Sequence, residues 1–172
     1  MSPLKRTWAP CGETPVVHTS IAHHDRLNVL GAVFLTAGGK RLRLHVQLHS
    51  HNLTGHHIIG FLTHVLRRRR GQIVLVWDNH PTHRRKTVQQ FLARHPRLHV
   101  FPFPSYAPEL NPAENLWTQT TEYTAGTAPR RVDELRDNVL AGLQRLRRSQ
   151  ARLWACLYAS ALPWKRQKKR CS

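Results

Sequence analysis

Acidic side chains are scarce in this sequence, which has nine Asp and Glu residues against 27 Lys and Arg and a formal net charge of +18. Two carboxylates stand out by position. Asp78 directly follows the apolar run Ile73–Trp77, and Glu114 follows Asn111-Pro112-Ala113. A carboxylate at a strand end and another at a helix start can share a divalent cation, and oxygen ligands suit Mg²⁺ or Mn²⁺. Such ions activate a water or a 3′-hydroxyl for displacement at phosphorus, so the pair indicates phosphoryl chemistry.

Each carboxylate also has a structural interpretation. Asp78 can close a strand and cap the next helix, and the site and cap interpretations are evenly balanced. Asn111 can be a helix N-cap with Pro112 at the first position and Glu114 completing a capping box, which is the favoured interpretation of Glu114 taken alone. The pair together favours the metal site. The supporting residues that we predict there are Asn79, His83 and Asn111.

The basic excess indicates a polyanionic partner, because each neutralised phosphate releases condensed counterions. DNA is the leading candidate, and a membrane surface is disfavoured because no basic amphipathic helix with an aromatic face is present. No apolar stretch approaches the roughly 20 residues of a transmembrane helix. The predicted DNA contacts are Arg67, Arg68, Arg69, Arg70, Arg84, Arg85 and Lys86.

Cysteine and histidine usage argues against zinc and disulfides. The three cysteines are widely spaced, and the histidines occur without a cysteine pair or an HExxH helix. A reducing, cytoplasmic location, with association to the nucleoid, is therefore expected.

Hydrophobic periodicity predicts the elements that position these residues. A strand at Val16–Ser20 is followed by two more that complete an antiparallel meander. The run Ile73–Trp77 is typical of a strand buried on both faces of a parallel sheet, so Asp78 is expected at the carboxyl edge where ligands bind. The other predicted strands are Leu27–Thr36, Arg41–Leu48 and Leu98–Phe101. The predicted helices are Leu53–Arg70, a short one around Val88, one from Asn111 and a last long one over Val132–Arg148.

Three segments together resemble the transposases of bacterial insertion sequences in the mariner-like superfamily. They are Val74–Asn79 with His83, the proline-rich Tyr106–Trp117, and Trp8–Pro15. The resemblance extends from about Thr7 to Trp164, and the proline-rich motif is its most specific part.

The resemblance implies an α/β, RNase H-like (retroviral-integrase-like) mixed sheet flanked by helices. It implies a triad of two Asp and one Glu that binds Mg²⁺ or Mn²⁺, in which Asp78 matches the second Asp and Glu114 the Glu. The implied activity is DNA strand cleavage at the ends of the element and strand transfer to a new site. Residues 1–164 would be a partial catalytic domain of this DDE type, and residues 165–172 a basic tail.

One departure from the family pattern limits these expectations. In the family, the first Asp lies on the first strand, just before the segment that corresponds to Trp8–Pro15. No Asp precedes Trp8 in this sequence, and Glu13 and Asp25 fall at turns. We therefore expect the first central strand to be lacking, which would leave two unpaired strand edges inside the sheet. Another chain could pair with these edges, either a second copy of this chain or an upstream-encoded N-terminal part. The chain alone is expected to be inactive.

A decayed gene is the favoured explanation of this departure, ahead of a separate upstream frame or an earlier start. The alternative function is a non-catalytic basic DNA-binding remnant. A basic RNA-associated structural protein is disfavoured, because it has no need of the matched acidic pair.

Overall fold

The computed structural model describes residues 27–36, 38–125, 129 and 131–164. The predicted strand Val16–Ser20, the segment Trp8–Pro15 and the basic tail lie outside the described residues. The strands are β1 (Asn28–Leu35), β2 (Leu42–His49), β3 (Ile73–Trp77) and β4 (Leu98–Pro102). The helices are α1 (Gly55–Arg68), α2 (Lys86–Ala93), α3 (Pro112–Thr124), α4 (Val132–Arg148) and α5 (Gln150–Tyr158), with short 3-10 turns at Pro81–Arg84 and Pro108–Leu110.

The strands form two separate two-stranded sheets. β1 and β2 make an antiparallel hairpin, and β3 pairs with β4 in parallel from Ile73 opposite Leu98 to Trp77 opposite Pro102. The antiparallel pairing of the two described strands of the predicted meander and the parallel pairing of β3 with β4 are therefore confirmed. No described strand pairs with the second edge of β1 or of β3.

The hairpin is covered on both faces because its side chains alternate in direction. Leu42 and Leu44 are buried in a core formed with α3, α4 and α5. The intervening residues of β2 face α1, where the ring of His45 lies 5.2 Å from that of Phe61. This hairpin is thus the middle layer between two groups of helices.

The sheet β3–β4 differs from its prediction. Leu75 and Trp77 pack against the core of α1 and α2, but Val74 and Val76 are 67% and 46% exposed. The prediction of a strand buried on both faces was therefore wrong. The reason is tertiary: the strand contacts of α3, α4 and α5 go to the hairpin, and no described helix covers the second face of β3–β4.

The C-terminal helices include one that the sequence analysis missed. α4 has the predicted bounds, but α5 follows it after the single residue Ser149, whose side chain accepts a hydrogen bond from the backbone N–H of Arg152 at 3.3 Å. Leu153, Cys156 and Leu157 then bury one face of α5. No helix in the described part of the chain has both the length and the apolar character needed to cross a membrane.

Candidate functional site

Asp78 lies at the carboxyl end of β3, as predicted, and its carboxylate is held by two donors. Its Oδ1 accepts a hydrogen bond from the backbone N–H of His80 at 3.0 Å and lies 3.1 Å from Nε2 of His83. The next helix, α2, has Arg85 rather than Asp78 as its N-cap. The structure therefore does not support the helix-cap interpretation of Asp78.

His83 acts as a rigid partner for this carboxylate. Its ring stacks on the indole of Trp77 with 4.2 Å between ring centroids, and its side chain is 14% exposed against 54% for Asp78. The hydrogen bond from His83 lowers the pKa of Asp78 below its usual value, the His80 N–H lowers it further, and partial burial opposes them. Asp78 is therefore an ionised, partly exposed carboxylate at neutral pH, which is the form that binds a cation.

Asn79 and His80 brace the same edge. The side-chain amide of Asn79 donates to the carbonyl oxygen of Phe103 at 2.6 Å, which ties the segment after β4 to the end of β3. The ring of His80 accepts from the backbone N–H of Thr82 at 3.3 Å and so begins the 3-10 turn that carries His83. Asn79 is therefore a positioning residue, and His80 has the helix-start role that its sequence position favours.

Glu114 lies in the first turn of α3, behind the predicted cap. The Asn111 side chain accepts from the backbone N–H of Ala113 at 3.1 Å, and Pro112 is the first helical residue. The backbone N–H of Asn111 donates to the carbonyl oxygen of Pro108 at 2.9 Å rather than to Glu114, so the capping box is not formed. Glu114 is exposed, and its carboxylate has no hydrogen-bond partner among the described residues, which leaves it available to a ligand.

The donor set suits a hard cation that keeps other ligands. No three His, Cys, Asp or Glu side chains of the described residues form a cluster able to hold a metal ion. A cation at Asp78 or Glu114 would therefore complete its shell with water or phosphate oxygens. Mg²⁺ commonly binds in this way, through one or two carboxylates.

The predicted DNA contacts fall into two groups. Arg84, Arg85 and Lys86 are exposed where the 3-10 turn that follows Asp78 meets the start of α2. Residues 67–70 lie at the end of α1, near the opposite end of β3. The guanidinium of Arg97, next to the start of β4, donates to the carbonyl oxygens of Arg69 and Gly71, which places those residues at the amino ends of both strands.

Comparisons with known proteins give one family match. Residues 1–136 match the family model described as DDE superfamily endonuclease. A comparison with curated proteins found no match.

Solved structures share only a distant likeness. The Mos1 transposase catalytic domain with Raltegravir and Mg is 12% identical, with 85% of this chain and 86% of that chain covered and a TM-score of 0.45. The catalytic domain of Mos1 mariner transposase is 14% identical, with 82% of each chain covered and a TM-score of 0.43. A chain of the simian T-cell lymphotropic virus intasome with the PP2A regulatory subunit B56 gamma is 13% identical, with 94% of this chain and 65% of that chain covered and a TM-score of 0.45.

The family match extends over most of the chain and ends inside α4. This chain belongs to the DDE superfamily endonuclease family. Its membership confirms the predicted DDE family, and its mixed α/β architecture confirms the predicted fold class. The roles of Asp78, Glu114 and the basic residues stay predictions.

Proposed function

We propose that residues 1–164 are the catalytic-domain portion of a mariner-like transposase of an insertion sequence. In this proposal the protein acts on DNA at the nucleoid, and Asp78 and Glu114 hold Mg²⁺ or Mn²⁺ for strand cleavage and strand transfer. The single observation that carries the proposal is the Asp78 carboxylate, kept ionised by His83 at the carboxyl end of a parallel strand.

Each residue has a separate task in this reaction. Asp78 supplies an oxygen ligand from a rigid strand end, since Oδ1 is fixed by His83 and the His80 N–H. Glu114 supplies a second oxygen from α3, and Asn111 orients that helix start through its cap. The exposed cations that follow Asp78 neutralise phosphates beside the carboxylates.

The metal would supply Lewis-acid activation of a water or 3′-hydroxyl and stabilise charge on the leaving oxygen. Asp78 and Glu114 would be the second Asp and the Glu of the triad. Two of the three triad members are thereby assigned, and their metal binding can be measured whether or not the chain cleaves DNA. A binding measurement is therefore needed beside an activity assay.

The test measures Mn²⁺ binding by calorimetry and nicking of supercoiled plasmid DNA in Mn²⁺. Asp78→Asn and Glu114→Gln are each expected to weaken Mn²⁺ binding by more than about 10-fold, since loss of even a supporting partner typically costs about 10–100-fold. Both substitutions should also abolish whatever nicking the unmodified chain shows.

Glu109→Gln is the matched control, because Glu109 is an exposed Glu in the same proline-rich motif but does not match the triad position. This variant should bind Mn²⁺ and nick DNA like the unmodified chain. Equal losses in Glu109→Gln and Glu114→Gln would contradict the assignment of Glu114. DNA binding without any carboxylate-dependent Mn²⁺ binding would instead favour the non-catalytic DNA-binding alternative.

A further inference from the structure

A basic groove of about 610 Å³ lies between β2, the end of α1 and the junction of α4 with α5. No acidic side chain lines it. Five guanidinium groups do, and they come from three separate elements or their immediate ends: Arg41, Arg43, Arg68, Arg69 and Arg147. Only two of these five were singled out by the sequence analysis.

The walls of the groove are fixed by secondary structure. Alternation along β2 turns Arg43 and His45 to the side opposite the buried Leu42 and Leu44. The side chain of Gln150 fastens the start of α5 to this strand, since its Oε1 accepts from the backbone N–H of Leu42 at 2.9 Å and its Nε2 donates to the Leu42 carbonyl oxygen at 2.8 Å. The basic side chains are therefore carried by a framework that is held together without a ligand.

The positive charge of the groove is not neutralised from within. In the described part of the chain, ion pairs join His83 to Asp78 and Arg131 to Asp133, and neither involves a groove residue. Anionic groups in the groove would therefore meet these guanidinium groups without competing with a carboxylate.

Two histidines add unsatisfied polar atoms to the same groove. The rings of His45 and His64 stack with 4.4 Å between centroids, and the Nε2 atom of each is buried without a hydrogen-bond partner. Burial lowers the pKa of His45, and the nearby His64, Arg68, Arg147 and Arg69 lower it further. Buried polar atoms without a partner are uncommon, so these two histidines distinguish this part of the structure from an ordinary apolar contact.

We propose that this groove binds the phosphodiester backbone of duplex DNA, as a second contact separate from the edge that carries Asp78. Residues 68 and 69 lie near the amino end of β3, whereas Asp78 follows its carboxyl end. The five residues of β3 span roughly 16 Å at about 3.3 Å each. That distance corresponds to about five base-pair steps of 3.4 Å, so a duplex lying along β3 would span both places.

A duplex fits the groove better than a single small anion does. Five arginines distributed over two walls exceed what one phosphate can engage, whereas a duplex offers a row of phosphates on each strand. The proposal does not depend on catalysis and applies equally to a chain that never cleaves DNA.

The test is fluorescence anisotropy with a 20-base-pair duplex in EDTA at several salt concentrations, on the full chain. The groove variant Arg68→Ala/Arg147→Ala is compared with Arg94→Ala/Arg148→Ala. The control removes the same charge from two helix ends, and its residues are exposed, do not line the groove and are not among the predicted DNA contacts. The groove variant should lose about 10-fold in affinity, and its slope of log K against log salt should fall by about 2, one unit for each lost phosphate contact. The control should lose less than about 2-fold.

Equal losses of DNA affinity in the two double variants would overturn the proposal, because they would mean that DNA responds to the overall positive charge of the protein and not to this groove. Unlabelled duplex is also compared, at equal phosphate concentration, with inorganic phosphate and with a mononucleotide as competitors. If either small anion competes as strongly as the duplex, the proposal is overturned in favour of a small-anion site. If Arg68→Ala/Arg147→Ala does not fold, Arg41→Gln/Arg43→Gln tests the opposite wall with the same expected loss. Asp78→Asn should keep the full salt slope, so failure of the metal assignment is distinguishable from failure of this one.

Discussion

Gly31 in β1 is the position where one added methyl group should disturb the site's framework most directly. A Cβ atom on Gly31 would lie 2.6 Å from Cη2 of Trp117, 3.1 Å from Cζ2 of the same ring and 3.2 Å from Cγ1 of Val46. Carbon atoms pack at about 3.5–4.0 Å, so Gly31→Ala requires the indole to move by about 1 Å. Trp117 lies on α3 one turn after Glu114, and its displacement would therefore also disturb the carboxylate.

The expected magnitude follows from two opposing effects. Overpacking a filled core costs about 1–3 kcal/mol, and removing glycine from a strand returns about 0.5–1 kcal/mol. The net destabilisation is then up to about 2.5 kcal/mol. At about 2–4 °C per kcal/mol for a chain of this size, the Tm should fall by up to about 10 °C.

Gly60→Ala is the matched control for this substitution. Gly60 is exposed inside α1, and a Cβ there would meet no atom within 4 Å. The same chemical change should therefore raise stability by about 0.5–1 kcal/mol, through helix propensity alone.

The assay is thermal and urea unfolding of both variants with circular dichroism, followed by Mn²⁺ titration of the folded proteins. Opposite signs of the two stability changes are expected, with weaker Mn²⁺ binding only in Gly31→Ala. An increase in stability in both variants would refute the contact between Gly31 and Trp117.

Two further predictions concern two partly buried histidines and one buried cysteine. Burial lowers the pKa of His45 and His49 below 6.5, so their contribution to stability is present above the unfolded pKa and is lost as pH falls through the folded pKa. The urea midpoint of the unmodified chain should therefore drop between pH 7.5 and 5.5. This drop should be smaller in His45→Gln/His49→Gln, and an equal drop in that variant would contradict the shift. Cys156 is 1% exposed, and burial raises the pKa of its thiol. In a chain that also carries Cys11→Ser and Cys171→Ser, Cys156 should react with a thiol reagent at pH 8 only as fast as the protein unfolds. Fast labelling of the folded protein would contradict its burial.

Local chemistry explains how much of the fold could be predicted. α4 begins and ends at the predicted residues, because acidic residues in its first turn and basic residues in its last complement the helix dipole. Asn111 caps α3 as expected, since a cap is an interaction between neighbours in the chain. Asp78 was placed at the end of β3 by the run of apolar residues before it. The partnership of Asp78 with His83 needed the intervening 3-10 turn, which periodicity does not reveal.

What the sequence by itself determined is therefore the order and type of most elements, the basic character of the surface and the DDE family motif. Only the tertiary structure decided which faces are covered. The exposure of Val74 and Val76 depends on where α3, α4 and α5 pack, and the groove combines Arg43, Arg68 and Arg147 from three elements far apart in the chain. Local patterns are read from spacing along the chain, whereas coverage and charge clustering arise from contacts between distant segments.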